Sequence, residues 1–90
     1  MEFDSDPGKA ANNLKKHKVS FEEAASVFGD PMAYTFADPD HSFGEERWLT
    51  FGLSRVARVL AVAFIHRRGK YRIISARLVT RHERKTYEEG

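Results

Sequence analysis

The chain has 90 residues and no cysteine, so we expect a single domain, 1–90, without disulfides, thiolate zinc sites or cysteine nucleophiles. No apolar run approaches the ~20 residues that a membrane-spanning helix needs, and the polar N-terminus does not fit a signal peptide, so we expect a cytoplasmic protein without a membrane partner. The formal net charge of +2 conceals an asymmetry, because residues 1–46 hold ten Asp or Glu and four Lys or Arg, whereas residues 47–90 hold three and eleven.

Two helices are predicted in the first third of the chain. Asp6 is placed to cap a helix that has Pro7 at its first position, where the missing N–H costs nothing. Ser20 and Glu23 have the spacing of a capping box for a second helix. The apolar face of that helix follows the i, i+3, i+4, i+7 pattern of Phe21, Ala24, Ala25 and Phe28. Gly29, two residues before a proline, is expected to end it in the left-handed conformation.

The hydrophobic period then changes to that of strands. Residues 32–36, 47–54, 59–65 and 71–78 are predicted strands joined in hairpin order, which predicts three or four antiparallel strands. Along 47–54 the alternation separates Leu49, Phe51 and Leu53 from Thr50, Gly52 and Ser54. A last helix is predicted from Thr80, with Glu83 completing a second capping box.

The predicted fold class is therefore α+β, with two N-terminal helices on one face of a small antiparallel sheet and a C-terminal helix. The opposite face is expected to be uncovered and polar. Its predicted residues are Thr50, Ser54, Ser75 and Arg77.

The segment DPDHSFGEER, residues 38–47, concentrates four carboxylates, a histidine and an arginine. A calcium loop is disfavoured, because Phe43 and Leu49 occupy the positions that need glycine and glutamate. A zinc site built on His41 and Glu45 would need a helical segment and a third ligand, so no metal or other cofactor is predicted.

Acid–base chemistry is the other reading of this segment. Metal-free RNA cleavage requires a base for the ribose 2′-hydroxyl, cations for the phosphate and an acid for the leaving oxygen. His41 suits proton transfer near neutral pH, and Glu45 or Glu46 could share it. The alternative for His41 is a turn residue that donates a hydrogen bond to a neighbouring aspartate.

The arginines divide into two groups. The first group lies in or beside predicted turns and is assigned to solubility and to protection of the sheet edges from aggregation; it consists of Arg55, Arg58, Arg67, Arg68 and Lys70. Arg72 and Arg77 lie inside a predicted strand, where a charge needs a partner or ligand. They differ by five positions, so a regular strand points them to opposite faces unless a bulge intervenes.

Three segments carry a family resemblance: NNLKKHKVSFEEAASVFGDP, DPDHSFGEERWLTFGLS and RIISARLVTRHERKTYEE. Together they resemble the BrnT family of toxins from type II toxin–antitoxin pairs, which is related in fold to the RelE group. The resemblance implies a growth-arresting endoribonuclease, a cognate BrnA-like antitoxin and a toxin homodimer within the complex. It also makes His41, Glu45, Arg47 and Arg77 candidate catalytic residues.

We further predict that the ribonuclease needs no metal ion. The predicted RNA-binding residues are Arg72, Lys70 and Arg84. A basic second half favours a polyanionic partner, although the two halves could instead neutralise each other. The alternative function is a non-catalytic basic module that binds nucleic acid or the antitoxin. Lys18 replaces a glycine that is common in the family; a left-handed conformation there would cost roughly 1 kcal/mol.

Overall fold

The computed structural model describes residues 2–42 and 44–90, so Phe43, which the calcium-loop comparison used, lies outside the described residues. The strands are β1 (Phe3–Asp4), β2 (Tyr34–Ala37), β3 (Arg47–Leu53), β4 (Val59–Arg67) and β5 (Lys70–Leu78). The helices are α1 (Pro7–His17), α2 (Phe21–Ser26) and α3 (Arg81–Glu89), with 3-10 turns at Val27–Gly29 and Pro39–His41. None of the described helices is long and apolar enough to span a bilayer.

The strands form one sheet in the order β1-β5-β4-β3-β2. The α+β class is confirmed, but the expectation of three or four antiparallel strands is wrong. β1 adds a fifth strand, and it runs parallel to β5 with Phe3 opposite Tyr71 and Asp4 opposite Arg72. A two-residue strand has no hydrophobic period of its own, and its partner lies far along the chain, so the sequence pattern carried no sign of it.

The helix starts follow the predicted caps. The Asp6 carboxylate accepts hydrogen bonds from the backbone of Gly8 and Lys9, and the Ser20 hydroxyl accepts one from the backbone of Glu23. The Glu23 carboxylate does not complete the box, since it is buried against Ser54 and Arg58 instead.

The predicted left-handed residue falls at a different place. Gly29 closes a 3-10 turn without a positive φ, because α2 tightens into that turn rather than ending in a left-handed cap. Lys18, at the C-cap of α1, has φ 59° and ψ 32°. The left-handed region is thus occupied by a residue with a Cβ, which is strained.

The core lies between α1, α2 and one face of the sheet. It is built from Val19, Phe21, Ala24, Val27, Leu60, Val62, Ile73 and Ala76. The expectation that Thr50 and Ser54 line an uncovered face is wrong. Both are buried on the helix-covered side, where Thr50 shares a hydrogen bond with Thr35 and Ser54 donates to Glu23.

The reason is the close approach to β3 of the 3-10 turn Val27–Gly29, which follows α2. A Cβ at Gly52 would lie 3.0 Å from the Val27 side chain, so the small and hydroxyl residues of β3 face the helices. The opposite face of β3 is apolar at Leu49 and Phe51, and α3 packs there. The Tyr87 hydroxyl donates to the Asp30 carboxylate at 2.5 Å and fixes the end of α3.

A bulge in β5 sets which arginines share a face. Ala63 pairs with Ser75, but Phe64 pairs with Ile73, which leaves Ile74 as an extra residue. The alternation therefore slips by one, and Arg72 and Arg77 emerge on the same face of the sheet. Arg72 lies opposite Ile65 and Arg77 opposite Ala61, so about 13 Å of strand separates them.

Candidate active site

A cavity of about 270 Å³ opens where α1, the loop after β2 and strands β3, β4 and β5 meet. Its wall is formed by Lys9, His41, Glu45, Arg47, Ile65, Arg67, Arg72, Ile73 and Ile74. Four of these side chains are cationic at neutral pH, and one is a carboxylate. The structure thus concentrates positive charge around one imidazole.

The loop before β3 positions two of the predicted residues. The Ser42 hydroxyl donates to the Asp38 carbonyl at 2.8 Å and accepts from the Arg47 backbone N–H at 2.9 Å. The Asp38 N–H also donates to the Arg47 carbonyl at 2.7 Å, which continues the β2–β3 pairing. These bonds close the loop and bring His41 to the cavity.

His41 is oriented by Asp38. The Nδ1 atom lies 3.1 and 3.0 Å from the two carboxylate oxygens of Asp38. An ionised Asp38 carboxylate only accepts, so opposite it Nδ1 carries the proton, and in the neutral imidazole Nε2 is then the acceptor. The hydrogen bond to Asp38 therefore fits both possibilities considered for His41, a turn residue and a general base.

Glu45 forms an ion pair with Arg67. The Arg67 Nε donates to one carboxylate oxygen at 3.1 Å, and its Nη2 donates to the other. This hydrogen bonding by Arg67 is the main cause that lowers the pKa of Glu45 below its ordinary value. Glu45 is therefore ionised near neutral pH, where it holds Arg67 in place and cannot act as an acid.

Arg47 differs from the other arginines of the cavity. Its Nε is buried and has no hydrogen-bond partner among the described residues. Buried guanidinium N–H groups are almost always paired, and an unmade hydrogen bond of this kind costs free energy. Arg47 therefore lines the cavity with a guanidinium whose Nε has no acceptor in the described part of the chain.

Arg72 is held by β1. Its Nη1 donates to the Asp4 carboxylate at 2.8 Å, and Asp4 is its neighbour in the parallel pair. The side chain of Arg72 remains 30% exposed, so it lines the cavity while paired. The strand that the sequence pattern missed is the one that supplies this partner.

Three predicted residues do not line this cavity. Arg77 forms a two-pronged pair with Glu83 at 2.7 and 2.9 Å, and this pair raises the pKa of Arg77 and lowers that of Glu83. Arg84 lies 3.6 Å from Glu88 on α3. Lys70 is exposed at the β4–β5 turn.

Two charged residues of the cavity, Lys9 and Arg67, were not predicted for the site from sequence. Arg67 was assigned to turn solubility, although it lies two positions after Ile65 and shares its face. A stricter reading of the strand alternation would have found it. Lys9 reaches the cavity from α1, and no local pattern indicates which strand α1 packs against.

The arrangement is suited to a phosphodiester. Guanidinium groups bind phosphate oxygens through paired donors, and a histidine with a fixed tautomer transfers protons at neutral pH. Among residues 2–42 and 44–90, no three His, Asp or Glu side chains come together in a way that could hold a metal ion.

Comparison with known proteins agrees with this chemistry. The family model described as "Ribonuclease toxin, BrnT, of type II toxin-antitoxin system" matches residues 6–83. The 1.1 Å crystal structure of the Brucella abortus ribonuclease toxin BrnT superposes with a TM-score of 0.70, at 20% identity, over 90% of this chain and 99% of that chain. No curated protein matches. The chain belongs to the BrnT family and is a ribonuclease toxin of a type II toxin–antitoxin system, with RNA as its substrate and an antitoxin as its partner.

Proposed function

We propose that this toxin cleaves RNA without a metal ion, by attack of the ribose 2′-hydroxyl on the adjacent phosphate in the 270 Å³ cavity. The observation that carries the proposal is Arg47, which lines the same cavity as His41 and whose buried Nε has no partner within the described chain. A phosphate in the cavity would pair with the Arg47 guanidinium and bring the reacting atoms to the imidazole.

His41 acts as the general base. Its Nε2 accepts the proton of the 2′-hydroxyl as the 2′-oxygen forms a bond to phosphorus. Asp38 holds the ring through Nδ1 and stabilises the imidazolium that forms. Asp38 is thus a positioning residue.

Arg47, Arg67 and Arg72 stabilise the negative charge that builds on the phosphate oxygens. Fixed cations at such a position contribute to the rate because they need no reorganisation during the reaction. Glu45 keeps Arg67 in place, and Asp4 does the same for Arg72. In this arrangement Glu45 acts through Arg67 and not as the acid.

The bond from phosphorus to the 5′-oxygen breaks as the new bond forms, and the departing oxygen needs a proton. Lys9 borders the same cavity from α1 and carries N–H donors, so we assign it to the leaving group. The products are a 2′,3′-cyclic phosphate and a 5′-hydroxyl end. Arg77, which the sequence suggested for the site, instead secures α3 through Glu83.

The test is cleavage of a short RNA by the purified protein in excess EDTA. We expect cleavage to survive chelation, to yield cyclic phosphate ends and to fail on 2′-deoxy substrate. Arg47→Gln and His41→Ala should each lower kcat by about a hundredfold or more. Arg84→Gln is the matched control, because it removes the same charge on α3 and should leave kcat unchanged. Loss of activity in EDTA, or unchanged kcat in both site variants, would overturn the proposal.

We also propose that the protein is cytoplasmic, that its antitoxin is of the BrnA type, and that the toxin forms a homodimer within the complex. The resemblance of the three segments supports the BrnA-type partner and a fold relation to RelE. A 90-residue chain buries a modest share of its surface, so association would stabilise it. Light scattering on the co-expressed complex tests the homodimer; a complex of one toxin chain and one antitoxin chain would refute it.

A further inference from the structure

A second cavity continues from the first along α1. It has a volume of about 280 Å³ and lies between α1 and β5. Its wall is formed by Lys9, Asn12, Asn13, Lys16, His17, Ile74 and Ser75. Lys9 and Ile74 belong to both cavities, so the two form one continuous surface. We call the second cavity the α1 groove.

The α1 groove is basic because of how α1 presents its side chains. Lys9, Asn13 and Lys16 follow the i, i+4, i+7 spacing, so they share one face of the helix. The sequence of α1, PGKAANNLKKH, contains no carboxylate, and none lines the groove. Neither lysine has a salt-bridge partner in the groove wall.

The groove is held at a fixed width by Asn13. Its side-chain amide donates to the Ala76 carbonyl at 2.8 Å and to the Val19 carbonyl at 2.9 Å, and its oxygen accepts from the Ala76 N–H at 3.0 Å. Asn13 is 6% exposed, so these bonds are buried. These hydrogen bonds attach α1 to β5 at Ala76, beyond the residues of β5 that pair with β1.

We propose that the α1 groove binds the phosphate backbone of the RNA strand next to the scissile bond. Lys9 and Lys16 are seven residues apart, which is about 10 Å along the helix axis. About three stacked nucleotides at 3.4 Å each cover that distance, so Lys16 meets a phosphate beyond the one that is cut. Asn12 and Ser75 add uncharged hydrogen-bonding groups along the path. The inference rests on the proposed function, because that function defines where the strand enters.

Binding can be tested separately from cleavage. A fluorescent 2′-O-methyl RNA oligonucleotide has no free 2′-hydroxyl, so the proposed chemistry cannot cut it. Its Kd, measured by anisotropy at several salt concentrations, reports the groove even if the protein proves inactive. We expect Lys16→Gln to weaken binding about fivefold at 0.1 M salt and to reduce the slope of log Kd against log salt by about 0.7.

Lys15→Gln is the matched control. It removes the same charge from the neighbouring residue of α1, which lies outside the lining of both cavities. Lys15→Gln should leave the Kd and the salt slope near their wild-type values. Equal losses in the two variants would overturn the proposal, because they would show attraction to the general charge of α1.

Cleavage supplies an independent readout. On a long RNA, Lys16→Gln should raise KM about fivefold with little change in kcat, whereas on a dinucleotide it should change neither. Failure of the wild type to cleave either substrate would refute the proposed function and leave the anisotropy result intact. Unchanged RNA binding by Lys16→Gln, with weakened binding of the cognate antitoxin, would reassign the groove to the protein partner.

Discussion

Replacement of Glu23 by alanine should destabilise this protein severely. Glu23 lies on α2 and is 6% exposed. Its carboxylate accepts hydrogen bonds from Arg58 at 2.5 and 3.0 Å and from the Ser54 hydroxyl at 2.7 Å. Arg58 also donates to the Lys18 carbonyl, so the network ties both helices to the β3–β4 turn.

The expected cost follows from what Glu23→Ala leaves behind. Ser54 is buried and loses its acceptor, while Arg58 keeps a charge that is only one-third exposed. Breaking a buried ion pair by removing one partner costs about 3–5 kcal/mol. A chain of this length has a total free energy of unfolding of about 5–13 kcal/mol. The melting temperature should therefore fall by at least about 12 °C.

Thermal and urea unfolding, followed by circular dichroism, measure the effect. Glu22→Ala is the control, because it removes the same charge from the adjacent, exposed residue and should change stability by less than about 0.5 kcal/mol. Similar losses in the two variants would refute the reasoning, since they would mean that the buried network contributes nothing beyond net charge.

The pH dependence gives a second check on Glu23. Hydrogen bonding by Arg58 is the main cause that lowers the pKa of Glu23 from its ordinary 4.5. Its contribution is therefore fully present above pH 4.5 and is lost as the pH falls through the lower folded-state value. The stability difference between wild type and Glu23→Ala should narrow in that acid range and stay constant above it.

Three further predictions concern other parts of the fold. Lys18→Gly should raise the free energy of unfolding by about 0.5–1 kcal/mol in urea titrations, since glycine adopts the left-handed conformation of this C-cap without strain; a loss of stability would contradict this. Arg77→Gln should break the pair with Glu83, loosen α3 from β5 and lower the melting temperature while leaving kcat within about twofold, so a hundredfold loss would return Arg77 to the active site. The Asp30 carboxylate raises the pKa of Tyr87 to about 12, so an absorbance titration should show one tyrosine ionising near pH 12, and Tyr87→Phe should remove it. This contribution to stability is present below the unfolded value of 10 and is lost as the pH rises through about 12.

The local elements of the fold could be predicted from sequence because their signals are local. The caps at Asp6, Ser20 and Thr80 and the strand alternation are carried by residues a few positions apart. The covered face of β3 could not be predicted, because Thr50 and Leu49 have equally good alternation. Only the close approach of Val27, in the 3-10 turn after α2, to Gly52 decides between them.

The site was predictable to the extent that it lies in one segment. His41 and Glu45 come from the loop before β3, Arg47 is the first residue of that strand, and the three meet at the cavity. Lys9 and Arg67 depend on how distant elements pack, and no motif records that. Arg77 was predicted for the site because it lies within the strand. In the structure, however, both of its terminal nitrogens donate to the Glu83 carboxylate.

Because Ile74 is an extra residue, the face of the sheet on which Arg72 lies depends on the pairing register of β5 and not on the local sequence pattern. If the same residues paired with β4 without the bulge, the strand would be regular and the Arg72 guanidinium would turn to the other face, toward the aromatic rings around Tyr71. Every amino acid of the site would still be present in the gene, yet the charge would emerge on the wrong side. Gaps placed carelessly here when relatives are compared would likewise align arginines that never occupy the same space.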